Sequence, residues 1–76
     1  MRQITRLQRN VLAFVAGHTE AIGYSPTVRE IQSGLKIKNV GTVQAALKGL
    51  ESKRFIERRK RAWRNIIILQ DYYTNV

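Results

Sequence analysis

The first feature of this chain with evident binding chemistry is a dense run of basic side chains. Seven of its fourteen Lys and Arg residues lie between Lys53 and Arg64, and the net charge is +9. Clustered guanidinium and ammonium groups attract polyanions over long range. A solvated surface is the alternative, and an acidic lipid surface is disfavoured because the run lacks the pattern of an amphipathic helix. The candidate phosphate contacts are Arg58, Arg59, Lys60, Arg61 and Arg64.

A second group of candidates lies in a helical stretch of unusual composition. Its side chains outside the apolar repeat are small or polar, and nearly all are uncharged. A helix face made only for solvent usually carries more Glu and Lys, whereas a small polar face can approach base edges closely. A plain exposed face is the alternative. The residues are Gly41, Thr42, Gln44, Ala45 and Lys48, of which the last is placed to reach a phosphate.

For three further residues the sequence allows either a binding role or a structural role. Trp63 could stack on a base, enter a minor groove or pack on sugars, or it could cover the edge of the core. Ser25 and Thr27 could donate to a phosphate at the start of a helix, where backbone N–H groups favour an anion. For Thr27 we favour the simpler role of a helix cap.

Catalytic and metal-binding constellations are not evident. The chain has no Cys, so it has no thiolate nucleophile and no thiol zinc site. His18 lies on the apolar stripe of a helix, which indicates a half-buried packing residue, and Ser33 and Ser52 have no His or acid at a meaningful spacing. We therefore expect no enzyme, no metal site and no cofactor. No apolar run approaches the ~20 residues of a membrane helix, and we expect a cytoplasmic protein.

Capping boxes mark the starts of the first two helices. Thr5 with Gln8 opens a helix over roughly 6–21, and Gly23 suits the left-handed position after its end. Thr27 with Glu30 opens a short helix over roughly 28–35. The capping role explains Glu30 better than a catalytic role does.

The rest of the chain predicts a third helix and a hairpin. Asn39 is a suitable N-cap for a helix over roughly 40–53. Its apolar positions, which we expect in the core, are Val40, Val43, Leu47 and Leu50. A strand begins at 55–56, and the run 66–69, whose three isoleucines are β-branched, is its partner, with the basic loop between them as a wing. The sequence thus predicts a mainly α fold with a small β-hairpin, a winged helix-turn-helix of three helices plus a two-stranded wing over 1–70, followed by a C-terminal tail over 71–76.

A fairly specific set of residues accompanies this order of elements. They are Leu7-Gln8, Gly23-Tyr24-Ser25-Pro26-Thr27, Glu30-Ile31, Leu35, Leu47-Lys48, Leu50, Lys53, Ile56-Glu57, Arg64, Ile66 and Leu69. With them the chain resembles the N-terminal DNA-binding domain of the LexA repressor family from Thr5 to Leu69. The resemblance implies that the third helix enters the major groove of DNA and that the wing lies along the backbone.

The positions that read bases in the family differ in this chain. They fall on Asn39, Gly41, Thr42, Gln44 and Ala45. Family members usually have Ser, Asn-Ala and Glu-Glu at these places. Base recognition depends on the donors and acceptors present, so the usual operator does not carry over.

Two other departures from the family concern structure. The family has Gly at the Lys36 position, where a left-handed Lys costs about 1 kcal/mol relative to Gly unless the turn is built differently. Ile67 stands where the family has Arg, and strand alternation turns it away from the core. It is either a contact for a partner subunit or a lone surface residue, and we favour the second interpretation.

We predict sequence-specific binding of double-stranded DNA by a transcriptional regulator, most simply a repressor. The chain ends at Val76, without the domain whose Ser–Lys dyad drives self-cleavage and most of the dimerisation in the family, so we expect no self-cleavage and either a stand-alone relative or a fragment. A homodimer on a two-half-site operator is expected because one small module binds weakly. Candidate pairing residues are Ile67, Trp63, Tyr72 and Tyr73.

Two other functions stay open. A fold does not fix a function, so the domain could be a small phage or plasmid protein that binds a host protein. Charge reversal at Arg59 and Arg61 would abolish DNA binding and spare an interaction through an apolar face. RNA binding is a weaker alternative, since readers of single-stranded RNA usually present several stacking aromatic side chains.

Overall fold

The described part of the chain forms three helices followed by a small hairpin. A computed structural model describes residues 4–60 and 64–69. Helices α1 (Arg6–Ile22), α2 (Val28–Leu35) and α3 (Val40–Ser52) precede strands β1 (Ile56–Arg58) and β2 (Ile66–Ile68), which form one antiparallel sheet. This confirms the predicted winged helix-turn-helix. None of the described helices is long and apolar enough to cross a membrane.

Reciprocal hydrogen bonds start α1 and α2 as predicted. The Thr5 hydroxyl accepts from the backbone N–H of Gln8, and the Gln8 side chain accepts from the backbone N–H of Thr5. Thr27 and Glu30 form the same pair at α2. Each pair satisfies donors that the first turn of a helix leaves without an intrahelical partner. Gly23 ends α1 in the left-handed region, with φ 98°.

Among the described residues, two with side chains adopt left-handed backbone conformations. Lys36 ends α2 with φ 55° and ψ 43°, and its backbone N–H donates to the carbonyls of Gln32 and Ser33. Arg54, just after α3, has φ 64°. Such a conformation costs a residue other than glycine about 1–2 kcal/mol. Of the two possibilities left open at Lys36, the structure has the left-handed residue, whereas no sequence signal pointed to Arg54.

The core lies where the three helices meet, and α3 packs against α1, α2 and β1. Its buried side chains are Val11, Leu12, Val15, Ile31, Val43, Ala46, Leu47, Leu50, Phe55, Ile56 and Ile66. The prediction that Val40 belongs to this core was wrong, because it is only half-buried. As the first residue of α3 it has no preceding helical turn to cover it. His18 is a half-buried packing residue, as predicted, with its ring centroid 6.1 Å from that of Phe14.

The hairpin pairs its two short strands residue by residue. Ile56 pairs with Ile68, Glu57 with Ile67 and Arg58 with Ile66. Ile67 lies outside the core cluster, as strand alternation predicted. The residues 61–63, with Arg61 and Trp63, lie outside the described part of the chain, as does the tail from 70 onward with Tyr72 and Tyr73.

Candidate nucleic-acid interface

One face of α3 gathers most of the predicted base contacts. Gly41, Gln44, Ala45 and Lys48 are all exposed. Their spacing of three and four residues places them on the side of the helix opposite the buried Val43 and Leu47. Thr42 lies at the flank and is half-buried. We call Gly41, Gln44, Ala45 and Lys48 the α3 stripe.

Asn39 is held in place by the cap that it provides. Its Oδ1 accepts from the backbone N–H of Thr42 at 3.0 Å and from the Thr42 hydroxyl at 3.1 Å. These two bonds identify the side-chain oxygen, so the exposed Asn39 turns its amide N–H donors outward. The hydroxyl proton of Thr42 is donated to Asn39 Oδ1 and is therefore used within the cap. Both residues therefore stand at the edge of the stripe in fixed orientations.

A groove connects the α3 stripe with the wing. It has a volume of about 400 Å³, and it is lined by Gln44, Ala45, Lys48, Glu51 and Arg58. A cation from the helix and a cation from the wing therefore lie along the same opening, with one carboxylate beside them. The Nε of Arg58 is buried and has no hydrogen-bond partner among the described residues. Arg59 and Lys60 follow and are exposed.

A second groove borders the other side of the stripe. It has a volume of about 430 Å³ and lies between the first turns of α1 and α3, lined by Thr5, Leu7, Gln8, Asn39, Gly41, Thr42, Ala45 and Ala46. Ala45 lines both grooves. The predicted base-reading residues therefore lie between the start of α1 and the wing.

Arg64 and Ser25 are drawn into the fold instead. Arg64 Nη1 donates to the backbone carbonyl of Ser25 at 2.9 Å and to Glu30 Oε1 at 2.7 Å, and Nη2 donates to Glu30 Oε2 at 3.2 Å. The guanidinium also stacks over the Tyr24 ring, 4.3 Å from its centroid. Ser25 is 6% exposed, and its hydroxyl accepts from the backbone N–H of Ile66 at 3.4 Å. These contacts engage Arg64 and Ser25 within the fold, so that phosphate binding by either residue would require it to give up an intramolecular partner.

The same cluster shifts the pKa values of two of its residues. The pKa of Glu30 is lowered from 4.5 to about 2, first because its carboxylate accepts hydrogen bonds from Arg64 and then because it accepts from the backbone N–H of Thr27. The carboxylate in turn raises the pKa of Arg64. His18 approaches from α1, with Nδ1 2.9 Å from the backbone carbonyl of Tyr24 and Nε2 3.8 Å from Glu30 Oε1. We call the cluster of Tyr24, Ser25, Glu30 and Arg64 the α2 corner.

Two exposed lysines close to the start of α3 were not among the contact residues predicted from the sequence. Lys36 and Lys38 are exposed in the turn between α2 and α3, directly before the Asn39 cap. Lys53 donates to the side chain of Gln8 at 2.8 Å and so ties the end of α3 to α1. The two exposed lysines had only their positions in the turn to single them out. Within the ranges described, no group of His, Asp and Glu could hold a metal ion.

Comparison with known proteins gives a consistent result. A family model described as the LexA DNA binding domain matches residues 1–65. A LexA repressor from Roseiflexus sp. (strain RS-1) is 42% identical over 66 residues, which is 87% of this chain and 30% of that protein. LexA repressors from Geotalea uraniireducens and Myxococcus xanthus are 41% and 34% identical, over 91% and 88% of this chain but 34% and 30% of theirs. The chain spans about a third of the length of these relatives.

Proposed function

The chain belongs to the LexA DNA-binding domain family, and on that premise we propose that it acts as the DNA-binding part of a transcriptional repressor. It binds double-stranded DNA with α3 in the major groove and the wing along the phosphate backbone. The observation that carries this proposal is the α3 stripe, which is exposed, uncharged over its first residues, and continuous with a groove that holds Lys48 and Arg58.

The two ends of this surface suit two kinds of contact. Small and polar side chains allow close approach to base edges and offer hydrogen bonds there, whereas cations supply sequence-independent affinity for phosphates. The proposed base contacts are Asn39, Gly41, Thr42, Gln44 and Ala45. The proposed backbone contacts are Lys48, Arg58, Arg59, Lys60 and Arg61. Thr27 acts as a helix cap whose hydroxyl accepts from Glu30 N–H.

Two copies of the domain occupy the operator in this proposal. One α3 helix presents only about two turns to a groove, and single modules of this kind bind weakly, so regulators commonly pair on two half-sites. Bound across a promoter, the pair represses by excluding polymerase. Ile67, beside exposed Glu57 on the hairpin, is a candidate pairing contact.

The salt dependence of binding to double-stranded DNA tests the backbone contacts. For about five phosphates neutralised per copy, log affinity falls with log salt concentration at a slope of about −4 to −5. The double variant Arg59→Glu, Lys60→Glu should weaken binding and make the slope shallower by ~2, because two contacts are lost. The matched variant Arg6→Glu, Arg9→Glu makes the same charge change at exposed positions of α1 and should retain most of the slope.

The control separates local contacts from general attraction. If both double variants lower the slope equally, the wing has no special contact with the backbone. If neither affects binding, or if the chain does not bind duplex DNA, the proposal is contradicted and a protein partner becomes the better interpretation. Tighter binding to single-stranded RNA than to duplex DNA would favour the RNA alternative.

A further inference from the structure

The donors and acceptors on the start of α3 fit some base pairs better than others. Between Asn39 and Ala45 no side chain carries a charge. A Lys or Arg donor pair is the usual partner of guanine O6 and N7, and a carboxylate is the usual acceptor for the cytosine amino group. Neither is available over these residues, so neither member of a G·C pair meets its usual contact there.

The Asn39 cap removes another possible donor to guanine. The Thr42 hydroxyl donates its proton to Asn39 Oδ1 at 3.1 Å, so it cannot donate to a base without opening the cap. Only the methyl group and the oxygen lone pairs of Thr42 remain available to a base. The amide N–H groups of Asn39 fit thymine O4, guanine O6 and the N7 of either purine, so this residue does not discriminate.

Gln44 and Ala45 supply the discriminating chemistry. Both are exposed, and no described residue forms a hydrogen bond with the Gln44 side chain. A free amide can accept from adenine N6 and donate to adenine N7 together, and an exposed methyl group can pack on the thymine methyl. The nearest cation on the stripe, Lys48, lies one turn further along, on the groove shared with the wing.

From these contacts we propose that the base-reading end of α3 selects A·T base pairs, with the Gln44 amide on adenine and the Ala45 methyl on a thymine methyl. This inference rests on the proposed function and deepens it, because it names the class of DNA sequence that the same surface takes. Each bidentate pairing of this kind distinguishes the right base from the wrong one by roughly 5- to 150-fold.

Selection from a random double-stranded DNA library, with the intact chain and at two salt concentrations, is the first test. The expected result is a repeated motif whose most constrained positions are A·T pairs and which survives the higher salt. A repeated motif centred on G·C pairs would overturn the inference and leave the proposed function standing. Binding without any motif would overturn both the inference and sequence-specific recognition.

Base analogues in the recovered motif test the individual contacts. Replacing the critical adenine by 7-deazaadenine removes the N7 acceptor, and replacing thymine by uracil removes the methyl group. The wild-type chain should lose affinity at one adenine position by roughly 5- to 150-fold, and the Gln44→Ala variant should show no further loss there. An equal loss in both proteins would show that Gln44 is not the partner of that adenine.

A change in the preferred base distinguishes a specific role of Gln44 from a general loss of affinity for DNA. Gln44→Glu keeps the side-chain length but offers only acceptors, so the preferred base at one position should shift from adenine to cytosine. Ser52→Glu adds a negative charge at the exposed far end of α3 and should lower affinity without altering the motif. An unchanged motif with Gln44→Glu would contradict the assignment.

Discussion

The α2 corner and the α3 stripe use similar polar residues in opposite ways. In the corner, the Arg64 guanidinium donates to Glu30 and to the Ser25 carbonyl, and the Ser25 hydroxyl accepts from Ile66. In the stripe, exposed Gln44 has no hydrogen-bond partner among the described residues. The corner therefore joins α2 to the hairpin, whereas the polar side-chain groups of the stripe remain available to a ligand.

This difference shows which polar residues can be contact residues. Arg64 and Arg58 belong to one basic run in the sequence, yet Arg64 forms an ion pair with Glu30 while Arg58 lines the groove beside Lys48. Charge and position in the sequence do not separate them. The two arginines are distinguished by their partners in the folded chain. A guanidinium that is paired with an intramolecular carboxylate would have to give up that contact to bind a phosphate.

The largest expected effect contrasts the two faces of α3. Leu47→Ala should lower the free energy of unfolding by about 2–5 kcal/mol, since it empties a fully buried site in the core. Gln44→Ala, on the exposed side, should change it by less than about 0.5 kcal/mol. Urea unfolding followed by circular dichroism measures both. A comparable loss of stability in the two variants would contradict the division of α3 into a core face and a free face.

The second effect is an acid-dependent loss of stability at the α2 corner. The pKa of Glu30 is about 2 in the folded chain against 4.5 for an ordinary carboxyl. Its contribution is therefore fully present above about pH 4.5 and is lost as the pH falls towards 2. Glu30→Gln should flatten this part of the profile of unfolding free energy against pH. Glu51→Gln removes an exposed carboxylate and should retain the wild-type profile; equal profiles for wild type and Glu30→Gln would refute the role of the corner.

A smaller effect is expected at the α2 cap. Thr27→Ala removes the hydroxyl that accepts from the Glu30 backbone N–H, and it should lower the free energy of unfolding by about 1 kcal/mol. Thr27→Ser keeps an acceptor and should lose much less. Neither variant should change the DNA motif, and a changed motif would place Thr27 among the residues that determine recognition.

The smallest effect concerns the turn before the stripe. Lys36→Gly should raise the free energy of unfolding by up to about 1 kcal/mol, because glycine adopts φ 55° without the penalty that Lys incurs. Ser33→Gly, inside α2, should lower it by about 0.5 kcal/mol. Thermal unfolding of the two variants decides the matter, and a destabilised Lys36→Gly protein would mean that the lysine side chain contributes more than its strained backbone costs.

The local parts of this fold could be predicted because their signals span only a few residues. Both capping boxes join residues three positions apart, and Asn39 caps the amide of Thr42 at the same spacing. At Lys36 the resemblance to the family left open either a left-handed Lys or a different turn, and the structure has the left-handed residue. The α3 stripe followed from the 3.6-residue period, although the period could not show that Val40 stays half-buried.

The α2 corner could not be predicted because its partners are distant in sequence. Arg64 is 34 residues from Glu30, and Ser25 is 41 residues from Ile66. Arg64 and Ser25 look like ordinary polar surface residues when only their neighbours in sequence are considered. The contact between Lys53 and Gln8, which are 45 residues apart, could not be predicted for the same reason. The tertiary fold brings Arg64 and Ile66 beside the start of α2 and packs α3 on α1, which creates these pairs, and no local pattern encodes them.

The most direct test of the contrast between corner and stripe is a titration of the isotope-labelled chain with a short duplex that carries its selected motif, followed by amide NMR. We predict that the largest shift changes fall on residues 39–48 and 58–60, and that the amides of Ser25 and Glu30 change little. Large changes centred on the α2 corner, with the first turns of α3 unaffected, would contradict the account.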